Sequence, residues 1–493
     1  LLGPLSCVRI AGPASVISWL LGGVLMMIVA STFVILARSL QIAGGTVRFF
    51  QLSYGHFAGF SFSWIAWLAW IAISPIETMA LIQYSSNYLP SLMTTGASPV
   101  LTPLGILIAV ICMVIITVIN NFGMRFYERV NYIVLAFKLI IPILTAIILL
   151  GHHFQPHNFT VAGGFMPYGL QSIVAALPLA GVIYSFIGFN PAIQLASESD
   201  EPKRDIPIAI FGSLIVCMGI YILVQVAFIG ALPTQHIIHD GWANLAYAGD
   251  NGPFVGLLMG FGFVWFVKAL YVDSVVSPFG TGMVQAMATG RLTYAMGHNG
   301  YFPKGLMHVN RHGAPGRALI FNTVIGFLFF LPFPSWQHMV GFLVSCLVLC
   351  YVIGPMSLMV LSRTCPDLFP SFPQFFIDGL CVVAFYICNL MILWSGWDIV
   401  YKIMILFVVG YIALALNRMF LRKKQAMELS MMRGSWVIVY MIGMAIISYL
   451  SSFGGKHVIS FGIDFIIMAV FTIAIYLIAA VLAARTKEVV ISL

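Results

Sequence analysis

Lys138 stands in the middle of an apolar run, residues 129–150. An ammonium group is expensive in hydrocarbon, so ionisable residues in such runs usually face a protein interior and serve a function. Two roles are open to it: a group that gives up and regains a proton, or a structural cation holding backbone carbonyls of a neighbouring helix. Glu77, Lys268 and Asp273 are the other deep charges. Lys268 and Asp273 lie about 140° apart around a helix and do not share a face. A gate or vestibule pair between Glu77 and Lys268 is therefore expected, each neutralising the other. Ser274, Ser277 and Thr281 follow Asp273. They border a coupling site opposite Lys138, or merely bond back to their own helix.

The run 168–199 carries a different signal. After Pro178 it reads Tyr184-Ser185-Phe186-Ile187-Gly188-Phe189-Asn190-Pro191. Gly188 loosens a helix, and Pro191 cannot donate to the carbonyl four residues back. Asn190 is a favoured N-cap, and Pro191 suits the first helical position after it. The pattern predicts two half-helices with an unwound joint at 187–190, the second half running to about Ser199. Such backbone is tolerated at membrane depth where it lines a cavity or is buried in protein, and secondary transporters use it to bind charged substrate groups. A Pro-Gly kink in a packed bundle is the plainer alternative.

The surrounding elements must be membrane spans. Only 8% of the 493 residues are charged, 61% are hydrophobic, and the mean hydropathy is +1.02. Soluble proteins carry about a quarter charged residues, so a soluble enzyme is excluded. Apolar runs fall at 14–37, 57–88, 100–120, 129–150, 168–199, 206–231, 252–288, 317–332, 337–362, 375–396, 397–417, 435–452 and 460–484. With the partial run at 1–10 they predict an all-α integral membrane protein of about fourteen spans, the first incomplete. Of the 23 Lys and Arg, Arg9 and Lys456 fall outside, and Lys138, Lys268 and Lys402 fall within or at the rim of spans. All the others fall inside, as the positive-inside rule demands. The net charge of +8 thus reports topology and not a nucleic-acid partner.

Continuous runs argue against a β-barrel. The cysteines lie mostly within apolar runs, so no disulfide framework is expected. His152, His153 and His157 read as a solvated loop and not as a metal site, and no metal or cofactor is expected. Arg422-Lys423-Lys424 reads as an orientation signal that touches anionic lipid. The chain opens on Leu1 within an apolar segment, which predicts no cleaved leader and further residues upstream.

Four segments carry a family resemblance. Ser197-Glu198-Ser199-Asp200-Glu201-Pro202-Lys203-Arg204-Asp205-Ile206-Pro207-Ile208-Ala209-Ile210 resembles the loop between spans six and seven of the amino acid–polyamine–organocation superfamily, with Glu201 where Asn is commonest. The joint at 184–190 is similar to that family's broken sixth span. Arg291-Leu292-Thr293-Tyr294-Ala295-Met296, continuing to Gly300 and Pro303, is similar to its loop after span eight. Ala11-Gly12-Pro13 and Ala43-Gly44-Gly45 fit the turn before span two and the loop after it.

The resemblance covers about residues 1–320 and implies two inverted five-helix repeats with broken first and sixth helices. These would be 1-151 (spans one to five, the first truncated) and 168-362 (spans six to ten), with peripheral spans eleven to fourteen at 375-484. It implies an amino-acid permease of the cytoplasmic membrane, driven by a proton gradient, working by alternating access. An amino acid/amine exchanger or a potassium or other inorganic cation importer on the same fold is the alternative. It also implies substrate contact by the backbone of Ser185, Phe186, Ile187 and Gly188, with Tyr184 and Phe189 shaping the side-chain pocket. Asn190 either touches substrate or only caps. Exchangers of this family with an acidic residue at that place differ from this chain, where a neutral amide cannot trade a proton. A span-five lysine in sodium-independent relatives resembles Lys138, which makes it the candidate proton-coupling group. With no acidic residue in the joint, a neutral or apolar amino acid is favoured over a cationic one. No cluster of His or carboxylates at one depth suggests an enzyme.

Overall fold

A computed structural model describes residues 3–40, 42, 45–86, 88–94, 100–122, 124–194, 196, 199–245, 253–330, 336–420 and 431–484. The sequence features at Ala43, Gly44, Ser197, Glu198, Arg422, Lys423 and Lys424 lie outside the described residues. Among the described residues the fold is helical, apart from one isolated bridge between Met93 and Leu101.

Helices α1 (Gly3–Ala11) and α2 (Ser15–Ser39) are joined by a turn at Gly12, where φ is +61° and a Cβ would strike Pro167. Only glycine takes that conformation without strain. Helix α3 (Gly45–Ser85) is interrupted at Gly55, whose φ of 78° and ψ of −173° are closed to other residues. Helix α4 (Pro103–Asn121) starts where the Thr102 hydroxyl accepts the Gly105 N–H at 3.1 Å, with Pro103 at its first position. Helix α5 (Met124–His152) follows.

The broken span comes next as α6 (Gly169–Leu179), α7 (Val182–Ser185) and α8 (Asn190–Gln194). Helix α9 (Pro202–Ala231) leads through α10 (Thr234–Asp240) and α11 (Pro253–Gly260) to α12 (Val264–His298). Then come α13 (Gly316–Phe327), α14 (Trp336–Cys350) and α15 (Ile353–Thr364). The chain closes with α16 (Gln374–Trp394), α17 (Trp397–Phe420), α18 (Met431–Gly434), α19 (Trp436–Leu450) and α20 (Ile463–Ala484).

By length and apolarity, 10 of the described helical stretches can cross a membrane, or 11 with the bent α6–α8 taken as one span. That is fewer than the runs of the sequence. Helices α1 and α2 count as one continuous stretch of 37 residues, α13 is a shorter apolar helix, and α12 is not among the 10. Three boundaries also move. The run 252–288 is split at Gly262 (φ +84°), so the long helix begins at Val264. It continues to His298, which makes Arg291–His298 the inner end of a helix where a loop was expected. Pro202 and Pro207 lie in the first two turns of α9, not in a loop: Pro202 takes the first helical position, where proline is at home, and Pro207 falls inside the helix one turn further on.

Helix α3 and the stretch ending α15 are enclosed almost throughout, whereas α4, α5, α17 and α20 turn most of their surface outward. Their outward residues are Ile, Leu and Val, such as Leu107, Ile147, Ile405 and Ile466, the surface a bilayer solvates.

Candidate functional site

Three glycines set the site. A Cβ on Gly280 of α12 would overlap Val134 of α5, and one on Gly282 would lie 3.1 Å from Ile116 Cδ1 and 3.6 Å from Glu77 Cβ. Helix α12 is thus seated closely against α5 on one side and against α3 and α4 on the other. At Gly22 a Cβ would fall 2.7 Å from Val182 Cγ1, so α2 lies directly against the broken span. Thr281 stands between the first two glycines and Lys138 one turn on from Val134. They meet: Lys138 Nζ donates to Thr281 Oγ1, and the Thr281 hydroxyl is itself 3.1 Å from the Ser277 carbonyl oxygen.

These helices enclose a cavity of about 460 Å³ lined by Glu77, Lys138, Tyr184, Asp273, Ser277 and Thr281, among others. Glu77 accepts a hydrogen bond from the Tyr184 hydroxyl at 2.7 Å. The charges of Glu77 and Asp273 both act on Lys138. Asp273 is 5% exposed, and its Oδ1 has no hydrogen-bond partner among the described residues.

The expected Glu77–Lys268 pair does not form. Lys268 sits in the second turn of α12 and is exposed, so it has no need of neutralisation, while Glu77 takes the Tyr184 hydroxyl instead. Asp273, placed beside Lys268 in sequence as a gate charge, turns into the cavity. Ser274 is not on the cavity wall; its hydroxyl donates back to the Tyr271 carbonyl at 2.8 Å. Ser277 and Thr281 do line the cavity, and Thr281 bonds directly to Lys138.

The break in the sixth span differs from its expected place. The axis bends by 48° between Leu179 and Val182, at Gly181, whose φ of 77° no larger residue takes easily. Pro178 has already loosened the turn before it. From Ile187 to Phe189 the chain tightens into a 3₁₀ turn instead of unwinding, and Asn190, not Pro191, opens α8. Asn190 does not cap. It has helical dihedrals, and its Nδ2 donates to the Ile187 carbonyl at 3.0 Å and to the Tyr351 hydroxyl at 2.9 Å.

Tyr184, Ser185, Ile187 and Gly188 line the cavity, whereas Phe186, Phe189 and Asn190 are buried behind it. Phe186 packs on Trp19 and Tyr221, and Phe189 stacks on Tyr351 at 5.5 Å. Two of the carbonyls expected to meet an ammonium have donors of their own: Ser185 takes the Tyr221 hydroxyl at 3.1 Å, and Ile187 takes Asn190. A Cβ at Gly188 would meet nothing within 4 Å, so this residue leaves the cavity open.

Trp19, Tyr221 and Gln285 also line the wall and were not anticipated. Gln285 was legible, because Asp273, Ser277, Thr281 and Gln285 repeat every four residues, one helical face. Trp19 and Tyr221 come from distant helices and gave no local sign. A buried amide in an apolar run was the available clue: Gln225 Oε1 accepts the Trp19 indole N–H at 2.8 Å, and its Nε2 reaches the Pro4 carbonyl at 3.4 Å. The outer histidines rest on aromatic rings, His152 on Phe263 at 4.7 Å and His153 on Phe261 at 4.4 Å.

Comparison with known proteins agrees with this arrangement of apolar helices around a polar cavity. The family model described as amino acid permease matches residues 4–413. The chain belongs to the amino acid permease family. This permease is 32% identical to the glutamate/serine transporter AimA of Bacillus subtilis (strain 168), over 97% of this chain and 89% of that protein. It is also 32% identical to the aspartate-proton symporter of the same organism, over 94% and 89%. The branched-chain amino acid permease BcaP of that organism is 25% identical over 82% and 85%. The permease is therefore a multi-pass amino-acid transporter of the cytoplasmic membrane and not an enzyme.

Proposed function

We propose that this permease imports amino acids by proton-coupled symport, alternating its central cavity between the two sides of the membrane. The observation that carries the reading is Lys138: an ammonium inside the cavity, held on Thr281 and flanked by the carboxylates of Glu77 and Asp273. A group in such surroundings can be charged in one stage of the cycle and neutral in another, which is what coupling to a proton requires. A relative named an aspartate-proton symporter supports the same reading. Two inverted five-helix repeats, 1-151 and 168-362, with 375-484 peripheral, would supply the rocking unit.

The cavity is more charged than the joint alone indicated. One ammonium and two carboxylates make the wall too polar for an apolar side chain and favour a small polar amino acid, while the relatives named for glutamate, serine and aspartate extend the candidates to acidic ones. The substrate's own charged groups would meet Gly188, Tyr184 and the tip of α1 at Gly3 and Pro4.

The test is uptake of radiolabelled L-serine, L-glutamate and L-aspartate into proteoliposomes with and without an inward proton gradient. The gradient should drive accumulation by the wild type. Lys138→Ala should lose the gradient-driven part and keep exchange of labelled for unlabelled substrate. Undiminished gradient-driven uptake by a well-folded Lys138→Ala would overturn the proposal.

A further inference from the structure

The polar face of α12 reaches beyond Lys138. Asp273, Ser277, Thr281 and Gln285 all line the cavity, and they are spaced by four residues, so they form one stripe along the helix. From Asp273 to Thr281 the stripe descends roughly 12 Å. Its two ends hold buried oxygens with no hydrogen-bond partner among the described residues, Asp273 Oδ1 and Gln285 Oε1, each on a side chain that is 5% exposed. An unpartnered carboxylate oxygen buried in an apolar bundle is costly, and a proton or a chain of waters is the smallest thing that satisfies it. At about 30 Å³ each, the cavity has room for on the order of fifteen waters.

We propose that Asp273 is the proton-loading residue on the outer side, passing protons along the α12 stripe to Lys138. Asp273 lies nine residues into α12, near the outer end that follows α10 and α11, while Thr281, which holds Lys138 of α5, is about two turns deeper on the stripe. The step is a transfer only: the Asp273 carboxyl releases a proton to water beside Ser277, and the neutral Lys138 amine takes one up while Thr281 accepts its hydrogen bond. The titratable groups facing Asp273 are Glu77 and Tyr84 from α3 and Lys138 from α5. Tyr88 packs against Tyr271 above it, and Cys217 of α9 closes the far wall. Among the described residues lining the cavity Glu77 is the one other carboxylate, and the Tyr184 hydroxyl already engages it, which leaves Asp273 as the acceptor without a donor.

This inference rests on the proton-coupled reading, and the experiment separates the two. Asp273→Asn, Asp273→Glu and Lys138→Ala are reconstituted, and uptake of L-serine, L-glutamate and L-aspartate is measured with an inward proton gradient and as exchange at equal pH. Asp273→Asn should lose gradient-driven accumulation and keep exchange, and Asp273→Glu should restore the gradient response with a displaced pH profile. If Lys138→Ala loses the gradient response while Asp273→Asn retains it, Asp273 does not load the proton and only this inference falls. If Asp273→Asn and Asp273→Glu both lose exchange along with accumulation, the residue is structural and the inference falls as well. If Lys138→Ala keeps the response, the coupling reading itself fails.

Discussion

The hydrogen bond from Tyr184 to Glu77 joins the broken span to α3 through a single pair of side chains. A bond to a charged group contributes about 1.5–3 kcal/mol, and its loss leaves a carboxylate without that donor in the bundle. Tyr184→Phe is therefore expected to lower thermal stability, and Glu77→Gln in the same chain should recover part of the loss. Additive effects of the two changes would show that the residues act separately. Lys138→Arg asks a different question. Guanidinium keeps its charge at any pH a protein survives, so it can hold Thr281 but cannot trade a proton. Exchange at equal pH should continue in Lys138→Arg while gradient-driven uptake stops; gradient-driven uptake at the wild-type rate would count against coupling. At this scale the sequence was informative where a charge sat in hydrocarbon, since Lys138, Glu77 and Asp273 all reach the cavity. It misled where the partner had to be named. Glu77 is held by a tyrosine hydroxyl that hydropathy does not register as polar, and Lys268 lies too near the start of its helix to need a partner.

Among the elements, α12 is the one whose position the site depends on most. Gly280 and Gly282 flank Thr281, one clearing Val134 and the other Ile116 and Glu77. Overpacking a tight contact costs typically 1–3 kcal/mol, and here the strain would push α5 away from Thr281. Gly280→Leu is expected to unfold at a lower temperature and to lose gradient-driven uptake more than exchange. Equal loss of both would mean the contact matters only for folding. Gly188 makes the opposite case, because its Cβ would meet open space. Gly188→Ala should fold and transport nearly as well as the wild type. Gly188→Leu should fold but raise KM, since the added side chain would fill cavity and not core. The broken span was legible from Pro178, Gly188 and Pro191, yet its bend lies at Gly181. A glycine at positive φ leaves no composition signal distinct from a glycine in a helix. The proline at 191 was over-read: at the second position of α8 it removes no hydrogen bond the helix needs.

For the whole molecule, apolar runs located nearly every helix, because burial in hydrocarbon demands length and apolarity whatever the packing. They could not say which runs turn back or break, since Gly262 and the Tyr351–Val352 turn are decided by neighbours. The later helices are held by a polar knot away from the cavity. Asn389 accepts the Tyr440 hydroxyl at 2.8 Å and donates to Thr472 at 2.9 Å, joining α16, α19 and α20. Asn389→Ala would strand the buried Tyr440 hydroxyl at about 1–3 kcal/mol and take a donor from Thr472, whose own hydroxyl still bonds to the Met468 carbonyl. It should lower the unfolding temperature while leaving KM unchanged; a changed KM would show that these helices take part in transport.

The interruption of α3 at Gly55 bears on the bilayer itself. The arm before it, residues 45–54, is tied across α15, where the Tyr54 hydroxyl donates to the Met356 carbonyl at 3.2 Å. Only residues 56–85 are left to cross, and as straight helix they would extend roughly 45 Å. A hydrocarbon core is about 30 Å thick, so this enclosed helix is longer than the core and meets it by tilting, by bending or by reaching into the headgroups. A helix with that spare length answers a thinner or thicker lipid by changing its angle, so the protein has slack to absorb hydrophobic mismatch without exposing the walls of its cavity.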